Sequence, residues 1–349
     1  MGSNQIQDIL TELAYGRDLE YELAERAFHI IMSGGATPAQ IAAFLMGLRA
    51  KGETVAELAA GANVMRHKSI KFGGNIGEAE AMNALDTCGT GGDGKRTFNI
   101  STATAIVIAS CGVKVIKHGN RSITSASGSS DVLQHLGVRI DASEQLQQQA
   151  LQQLNFCHLM APLYHPAMRH VADVRKELGL RTIFNLLGPL ANPARTTRQL
   201  IGVYDAKWLR PMAETLHKLG AHKAWLVHGN DGMDEITTTT TSQIVQLHNG
   251  EITEFTLNPN DYGIAFCTED SLKGGLPAEN AVAMQALFSG KKTGNIAAYR
   301  DIVLLNAAAG LIVAEHCETL SQAMQLATEA IDSGKAKILL AEYIEITNQ

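Results

Sequence analysis

The chain has 349 residues, a net charge of −6, 45% hydrophobic residues and 18% charged residues. This composition is typical of a soluble globular protein, and the length is sufficient for a large core and two domains. The acidic balance argues against a protein devoted to nucleic acid. The N-terminus lacks a signal-peptide pattern, and apolar runs such as residues 302–314 are shorter than the roughly 20 residues of a membrane helix. The five scattered cysteines contain no CxxC pair, so we expect reduced thiols in a cytoplasmic protein.

The first 70 or so residues show helical patterns only. Residues 37–40 form a capping box with a proline at the first helical position, and apolar side chains then recur at i, i+3, i+4 and i+7 from Ile41. Residues 54–57 form a second capping box, which opens a helix to about Lys68. We therefore predict a small N-terminal α-helical domain over residues 1–72, with residues 71–77 forming the linker that leaves it.

After about residue 80, short apolar runs alternate with longer helical segments. Apolar runs of this length indicate buried parallel strands, and the helical segments between them indicate βαβ units. Residues 73–349 are therefore predicted to form a large α/β domain with a central, mostly parallel sheet. The predicted strands are residues 83–86, 113–116, 138–140, 156–160, 200–203 and 224–227, and the predicted C-terminal helices are residues 278–287, 299–314 and 320–333.

A glycine-rich loop, residues 89–94, follows the first predicted strand and precedes a helix that begins near Asn99. The backbone N–H groups of such a loop and helix start can hold phosphate. The loop matches neither the Walker A pattern nor GxGxxG, and a flexible surface turn is the alternative. Asn99, Ser101 and Thr102 are either ordinary helix caps or phosphate ligands, and Ser101 is also a candidate Mg²⁺ ligand.

A second loop, KHGNR at residues 117–121, follows the predicted strand 113–116 and leads into a run of hydroxyl residues. Ligands of open α/β sheets lie at the carboxyl ends of the strands, so this loop suits a phosphorylated sugar, with a solvated basic loop as the alternative. No acidic residue lies between Asp93 and Asp131, whereas five Lys and Arg residues do. This island of positive charge favours an anionic ligand.

Two further features are candidates for binding. Asp234 and Glu235 follow the predicted strand 224–227, where adjacent carboxylates could bind Mg²⁺ together with substrate phosphates, or form a solvated acidic turn. Arg175 lies beside the apolar stripe of a helix that begins after His165-Pro166. It could bind a semi-buried carboxylate, or its stem could simply cover the stripe.

The sequence shows no Ser/His/Asp or Cys/His constellation. His67, His135, His158 and His222 have no spacing typical of a metal site, so we predict structural or surface roles for them. Cys88 lies beside the first loop and is predicted to be a small buried thiol.

The combined motifs closely resemble those of the anthranilate phosphoribosyltransferase family, which catalyses the second step of tryptophan biosynthesis. The KHGNR loop and RTIFNLLGPLANP at residues 181–193 are its specific motifs, whereas GTGGD alone is shared with related nucleoside phosphorylases. The resemblance covers nearly the whole chain and implies a nucleoside phosphorylase/phosphoribosyltransferase-like fold with a hinge. It also implies a helical segment at residues 165–190 near the hinge and the anthranilate site, and a homodimer formed through the helical domain.

The resemblance implies 5-phosphoribosyl 1-diphosphate, anthranilate and Mg²⁺ as ligands. The residues that match the diphosphate-binding loop and helix start are Gly89, Gly92, Asp93, Thr97, Asn99, Ile100, Ser101 and Thr102. The residues that match phosphoribosyl contacts are Lys117, His118, Gly119, Asn120, Arg121, Ser122, Ile123, Thr124, Ser125 and Ser129. Asn120 and Arg175 match anthranilate contacts, with Gly89 near both substrates, and Ser101, Asp234 and Glu235 match metal ligands. Residues 237–241 are five threonines where the family more often has a Gly-Pro turn, which leaves the shape of that loop open.

The expected reaction is displacement of pyrophosphate from C1 of the ribose by the amino group of anthranilate. An aryl amine is neutral at pH 7, so no strong base is required to make it a nucleophile. Lys117 and His118 are candidates for stabilising charge on the departing group rather than for acid–base catalysis. Two other classes remain open. A nucleoside phosphorylase would have no paired Mg²⁺ carboxylates, and a nucleic-acid-binding relative without catalysis would show a basic face.

Overall fold

The structure is a computed structural model that describes residues 4–74, 77–121 and 126–349. Seven strands in these ranges form one sheet in the order β3-β2-β1-β4-β5-β6-β7. The strands are β1 (Leu85–Gly89), β2 (Val115–Gly119), β3 (Phe156–Met160), β4 (Arg198–Gly202), β5 (Lys223–Gly229), β6 (Ser242–His248) and β7 (Glu251–Leu257). Strands β1 to β5 pair in parallel, whereas β6 and β7 are antiparallel. The predicted central, mostly parallel sheet is confirmed.

The N-terminal part is helical, as predicted. Its helices are α1 (Asn4–Ala14), α2 (Tyr21–Met32), α3 (Pro38–Lys51) and α4 (Val55–Lys68). Both capping boxes form: the Thr37 hydroxyl accepts a hydrogen bond from the N–H of Gln40, and Thr54 does the same for Glu57. Each cap satisfies N–H groups that have no partner within the helix, which fixes where the helix begins.

The other helices cover both faces of the sheet. They are α5 (Glu78–Asn83), α6 (Ile100–Ser110), α7 (Ser129–His135), α8 (Glu144–Leu154), α9 (Ala161–Tyr164), α10 (Arg169–Leu178), α11 (Ile183–Leu187), α12 (Leu209–Lys218), α13 (Pro277–Phe288), α14 (Asn295–Val313), α15 (Leu320–Asp332) and α16 (Lys335–Thr347). Short 3₁₀ segments lie at Pro166–Met168, Ala206–Trp208, Pro259–Tyr262 and Glu269–Leu272. Helix α14 is long and apolar enough to cross a membrane, but 83% of its apolar window is buried inside the protein, so it is a core helix.

Alternate side chains of each strand enter two different cores. Leu200 of β4 packs in the core with α6 and α14, whereas its neighbour Ile201 packs with α12 and the N-terminal helices. This alternation is the ordinary consequence of the strand period of two. The N-terminal helices therefore share a core with one face of the sheet.

The structure corrects one predicted strand. Residues 138–140 form no strand; Val138 and Ile140 are buried as part of the loop after α7. A short apolar run signals burial, and burial does not require pairing in a sheet. The hairpin β6–β7 and helix α16 were not predicted.

Candidate active site

A cavity of about 800 Å³ lies at the carboxyl ends of β1 and β2 and beside the segment that follows β5. The predicted site residues that line it are Gly89, Gly92, Asp93, Thr97, Asn99, Ile100, Ser101, Thr102, Lys117, His118, Gly119, Asn120, Arg121, Ser129, Arg175, Asp234 and Glu235. The predicted contacts Ser122, Ile123, Thr124 and Ser125 lie outside the described residues. The structure thus brings together residues that are separated by up to 146 positions in the chain, from Gly89 to Glu235.

The glycine loop contacts the acidic pair directly. The Gly91 N–H donates to Asp234 Oδ2 at 2.8 Å, and Gly91 has a φ of 65°, which favours glycine. A Cβ on Gly89 would lie 2.8 Å from Asp234 Oδ2, and one on Gly202 of β4 would lie 1.7 Å from the Asp234 carbonyl oxygen. The glycines at the ends of β1 and β4 therefore leave the space in which Asp234 sits.

The segment that carries Asp234 and Glu235 is held by polar contacts from the core. The Asn306 side chain of α14 accepts from the Ile236 N–H at 3.1 Å and donates to the Ile236 carbonyl at 2.8 Å. The hydroxyls of Thr237 and Thr239 both donate to the Asp231 carboxylate. The threonine run therefore stabilises its own loop and leaves the two carboxylates at the cavity.

Burial makes the ionised forms of the two carboxylates costly. Burial raises the pKa of Glu235 to about 8, although the ammonium of Lys117 opposes the shift. Burial, followed by the charges of Asp93 and Glu235, raises the pKa of Asp234 well above its ordinary value. Carboxylate and hydroxyl oxygens are the ligands that Mg²⁺ prefers, so Asp234, Glu235 and Ser101 fit this ion chemically. A bound cation would also relieve the repulsion between the carboxylates.

Lys117 and His118 project from the end of β2 in different electrostatic states. The Lys117 ammonium is buried and donates to the Thr87 carbonyl and to Ser101 Oγ, the latter at 3.3 Å. Burial, and then the neighbouring His165, lowers the pKa of His118 well below its ordinary value. The His118 imidazole is therefore neutral at pH 7 and is suited to hydrogen bonding rather than to supplying a positive charge.

The start of α6 lines the cavity. Asn99 is the N-cap residue, but its side chain makes no capping hydrogen bond. Its amide instead donates to the Ser127 carbonyl at 3.1 Å and accepts from Asn280 at 2.9 Å. The Ile100 N–H donates to the Phe98 carbonyl at 2.8 Å, and the Asn99 side chain does not cap the other N–H groups of the first turn. This arrangement favours the phosphate interpretation of Asn99 over ordinary capping.

Arg175 of α10 is half-buried, and its guanidinium lies 5.4 Å from the ring centroid of Phe184. Within the described ranges it forms no hydrogen bond and no ion pair. Desolvation lowers the pKa of its guanidinium. A half-buried cation without an anionic partner favours the carboxylate-binding interpretation over that of a surface arginine.

Two residues in or next to the cavity were not among the predicted site residues. Arg181 donates from Nη1 to the Gly92 carbonyl at 2.7 Å and lies 4.4 Å from the ring centroid of Tyr204, which ties the glycine loop to the α10–α11 connection. His165 is 4% exposed, and neither ring nitrogen has a partner among the residues that the structure describes. Both residues lie in the 165–190 segment that the resemblance placed near the anthranilate site.

Comparisons with known proteins identify the family of the chain. A model described as "Glycosyl transferase family, helical bundle domain" matches residues 7–69, and one described as "Glycosyl transferase family, a/b domain" matches residues 81–337. The fold and these two matches therefore define a protein of the glycosyl transferase family, built from a helical bundle and an α/β part.

Individual relatives narrow the class. Anthranilate phosphoribosyltransferase of Parvibaculum lavamentivorans is 50% identical over 340 residues, covering 97% of each chain, and that of Paramagnetospirillum magneticum is 49% identical over 344 residues, covering 99% of this chain and 96% of the relative. The crystal structure of the Thermus thermophilus enzyme has a TM-score of 0.88 at 38% identity and covers 98% of this chain and 100% of that one. The Saccharomyces cerevisiae enzyme in complex with PRPP and Mg has a TM-score of 0.89 at 25% identity, covering 99% of this chain and 98% of that one. The chain belongs to the anthranilate phosphoribosyltransferase family.

Proposed function

We propose that this protein transfers the phosphoribosyl group of 5-phosphoribosyl 1-diphosphate to the amino group of anthranilate. The products are N-(5-phosphoribosyl)anthranilate and pyrophosphate, and the reaction belongs to L-tryptophan biosynthesis. The observation that carries the proposal is the contact of the glycine loop with Asp234 at one end of a cavity that Arg175 also lines. One cavity thus combines a site for a diphosphate with a site for an aromatic carboxylate.

The diphosphate site consists of backbone donors and one buried cation. The N–H groups of the glycine loop and of the first turn of α6 would bind the diphosphate oxygens. Lys117 would add a fixed positive charge, because its ammonium is held by the Thr87 carbonyl and Ser101. These groups would hold the departing pyrophosphate in position and stabilise its charge as the bond to ribose breaks.

Ser101, Asp234 and Glu235 would hold Mg²⁺. When bound, the ion would neutralise charge on the diphosphate oxygens. Support comes from the raised pKa values of these half-buried carboxylates and from the yeast relative, which was solved with PRPP and Mg.

The anthranilate site would lie beside α10 and α11. Arg175 would bind the anthranilate carboxylate, and the Phe184 ring next to its guanidinium offers an apolar surface for the aromatic ring. Asn120 would contact the substrate from the loop that follows β2. This arrangement would point the amino group toward the ribose. The C1–N bond then forms as the C1–O bond breaks, the electron pair of that bond leaves with pyrophosphate, and the amine loses a proton. Because the amine is already neutral, positioning contributes more than general base catalysis.

We propose a hinge between a helical domain, residues 1–72, and an α/β domain, residues 73–349, with residues 165–190 near that hinge. Closure would exclude water and so limit hydrolysis of the phosphoribosyl donor.

We also propose a cytoplasmic homodimer formed through the helical domain, on the strength of the family resemblance. Light scattering at micromolar concentration should give twice the mass of the 37.4 kDa chain, and a monomer mass would contradict the dimer.

The loss of anthranilate fluorescence tests the function. We expect turnover only when the protein, phosphoribosyl diphosphate and Mg²⁺ are all present, with pyrophosphate released in equal amount. A nucleoside phosphorylase would instead release a nucleobase when given a nucleoside and phosphate. Phosphorolysis without anthranilate turnover, or nucleic-acid binding without any turnover, would overturn the proposal.

A further inference from the structure

A second cavity lies between the N-terminal helices and the α/β part. Its volume is about 260 Å³, and it shares no lining residue with the large cavity. Helices α2 and α4 form one wall, and residues 195–197 with the end of α12 form the other. The exposed side chains of Lys218 and Met82 lie at the cavity and give it access to solvent.

The lining of this cavity contains three cations and no carboxylate: Arg66, Arg195 and Lys218. Arg66 is only 8% exposed; its Nε donates to the Leu190 carbonyl at 2.7 Å and its Nη1 to the Leu219 carbonyl at 3.4 Å. In the described part of the chain, the Arg195 side chain forms neither a hydrogen bond nor an ion pair, although its Nε is fully buried. Two neighbouring guanidinium groups therefore lack a counterion.

The positive charges of Arg66 and Arg195 repel each other, and this repulsion contributes to the pKa of Arg66. Burial, and then the charge of Arg195, lowers the pKa of Arg66 to about 10. The carboxylate of Glu25 accepts hydrogen bonds from two side chains of the cavity wall, Tyr21 at 3.2 Å and Asn63 at 2.9 Å, and forms no ion pair with Arg66 or Arg195. Buried charge without compensation is costly, so a structure that keeps two such groups together is suited to an anion.

The backbone at this wall is also unusual. Arg195 has a φ of 53°, a left-handed conformation that is rare for a residue other than glycine, asparagine or aspartate. The next residue, Thr196, is 1% exposed, and its hydroxyl has no partner among the described residues. A strained residue beside an unsatisfied buried hydroxyl is a pattern that clusters at binding sites.

We propose that this cavity binds a small tetrahedral oxyanion of the phosphate class between Arg66 and Arg195. The volume is below the roughly 300–1,000 Å³ of sites for drug-sized ligands, which suits an ion of this size. Arginine pairs with phosphate oxygens through two parallel hydrogen bonds, and Lys218 at the opening adds a third cation. Because the walls come from both parts of the chain, the bound anion bridges them and stabilises their packing.

Thermal unfolding of the full chain with increasing inorganic phosphate tests this site. Saturating phosphate should raise the wild-type Tm by about 2–4 °C. Arg195→Asn removes the charge but tolerates the positive φ, and it should lose at least half of that rise. Arg195→Lys keeps the charge and should retain most of it. The matched control is Arg210→Gln on the exposed side of α12, outside the cavity, which should respond like wild type.

Phosphate bound in the large cavity would also raise the Tm, but equally in wild type and Arg195→Asn. An equal rise in the two proteins would therefore overturn the proposal. If Arg195→Asn does not fold, Lys218→Gln at the exposed rim replaces it. This variant should bind phosphate several-fold more weakly than wild type in calorimetry. An unchanged affinity for phosphate would overturn the proposal. Crystals soaked in selenate should show anomalous density between Arg66 and Arg195; density confined to the large cavity would refute the site. Anthranilate turnover is measured separately, so failure here does not affect the proposed function.

Discussion

The carboxylates at the two edges of the parallel sheet lie in opposite electrostatic environments. At the carboxyl edge, Asp234 and Glu235 lie beside another carboxylate, and burial raises the pKa of Glu235 to about 8. At the amino edge, Glu315 follows α14 and is surrounded by partners that lower its pKa to about 2. The same type of side chain thus has a raised pKa at one edge and a lowered pKa at the other.

At the amino edge, Glu315 is the centre of a cluster of ion pairs and hydrogen bonds with a structural role. Glu315 accepts from Arg198 at 2.6 Å, from His222 at 2.9 Å and from His248 at 3.1 Å. The histidine His222, which the sequence predicted to be structural or on the surface, is half-buried in this cluster. The cluster joins the starts of β4 and β5 to the end of β6, and its charges already have partners. Among the described residues, the carboxylates of the carboxyl edge form no comparable cluster of ion pairs. Carboxylates with raised pKa values in a cavity are typical of a ligand-binding site.

The largest effect should come from Glu235→Gln. Loss of the carboxylate should lower kcat at saturating Mg²⁺ by at least about 10²-fold, because charge stabilisation of the departing pyrophosphate is lost. The Tm without Mg²⁺ should stay the same or rise, because burial already opposes ionisation of Glu235 and glutamine removes that cost. Anthranilate fluorescence and calorimetry measure the two quantities. Glu315→Gln is the matched control and should retain kcat; a Glu235→Gln protein with normal kcat would break the comparison.

Arg175→Ala should give the next largest effect. The guanidinium is half-buried, so loss of its contact with the anthranilate carboxylate should cost about 2 kcal/mol, the lower end of the range for such pairs. This corresponds to a roughly 30-fold rise in the KM for anthranilate, with little change in the KM for phosphoribosyl diphosphate. Steady-state kinetics with each substrate varied in turn measures both. Arg139→Ala on the exposed surface is the control. Equal changes in both KM values in Arg175→Ala would contradict the role of Arg175 in binding the anthranilate carboxylate.

Gly202→Ala tests the space that β4 leaves for the acidic pair. The new methyl group would lie 1.7 Å from the Asp234 carbonyl oxygen, so the backbone must move. Overpacking of this kind costs about 1–3 kcal/mol, which should lower the Tm by several degrees and also reduce activity. Gly74→Ala is the control, because a Cβ there meets no atom within 4 Å. Unchanged Tm and kcat in Gly202→Ala would show that the Asp234 segment is not fixed by β4.

Local signals were sufficient for part of this molecule. The capping boxes placed α3 and α4, and the apolar run at Phe156–Met160 became β3 with the same bounds. The glycine and KHGNR loops were identified because the residue types that bind phosphate are adjacent in the sequence. Their contact with Asp234 was expected only from the family resemblance, since Gly91 and Asp234 are 143 residues apart.

Features that depend on tertiary packing were missed. The strand predicted at residues 138–140 is a buried loop, because an apolar run shows burial without showing what pairs with it. Arg181 looks like any exposed arginine until the fold brings it to the Gly92 carbonyl. Likewise, Arg66 and Arg195 lie 129 positions apart, and only the folded chain shows that they share a cavity without a counterion.

The smallest effect is expected for the stability of Glu315→Gln. The folded pKa of Glu315 lies below its ordinary value of 4.5, so its ion pairs stabilise the folded state fully above about pH 4.5 and are lost as the pH falls toward about 2. The side chain is 34% exposed, so solvent screening limits the contribution to about 0–1 kcal/mol at pH 7. Urea unfolding should show wild type more stable than Glu315→Gln at pH 7, with the difference shrinking at pH 3 and in high salt. If the difference in the free energy of unfolding between the two proteins does not depend on pH, packing rather than charge stabilises the amino edge. The electrostatic contrast between the two edges would then be supported by the carboxyl edge alone.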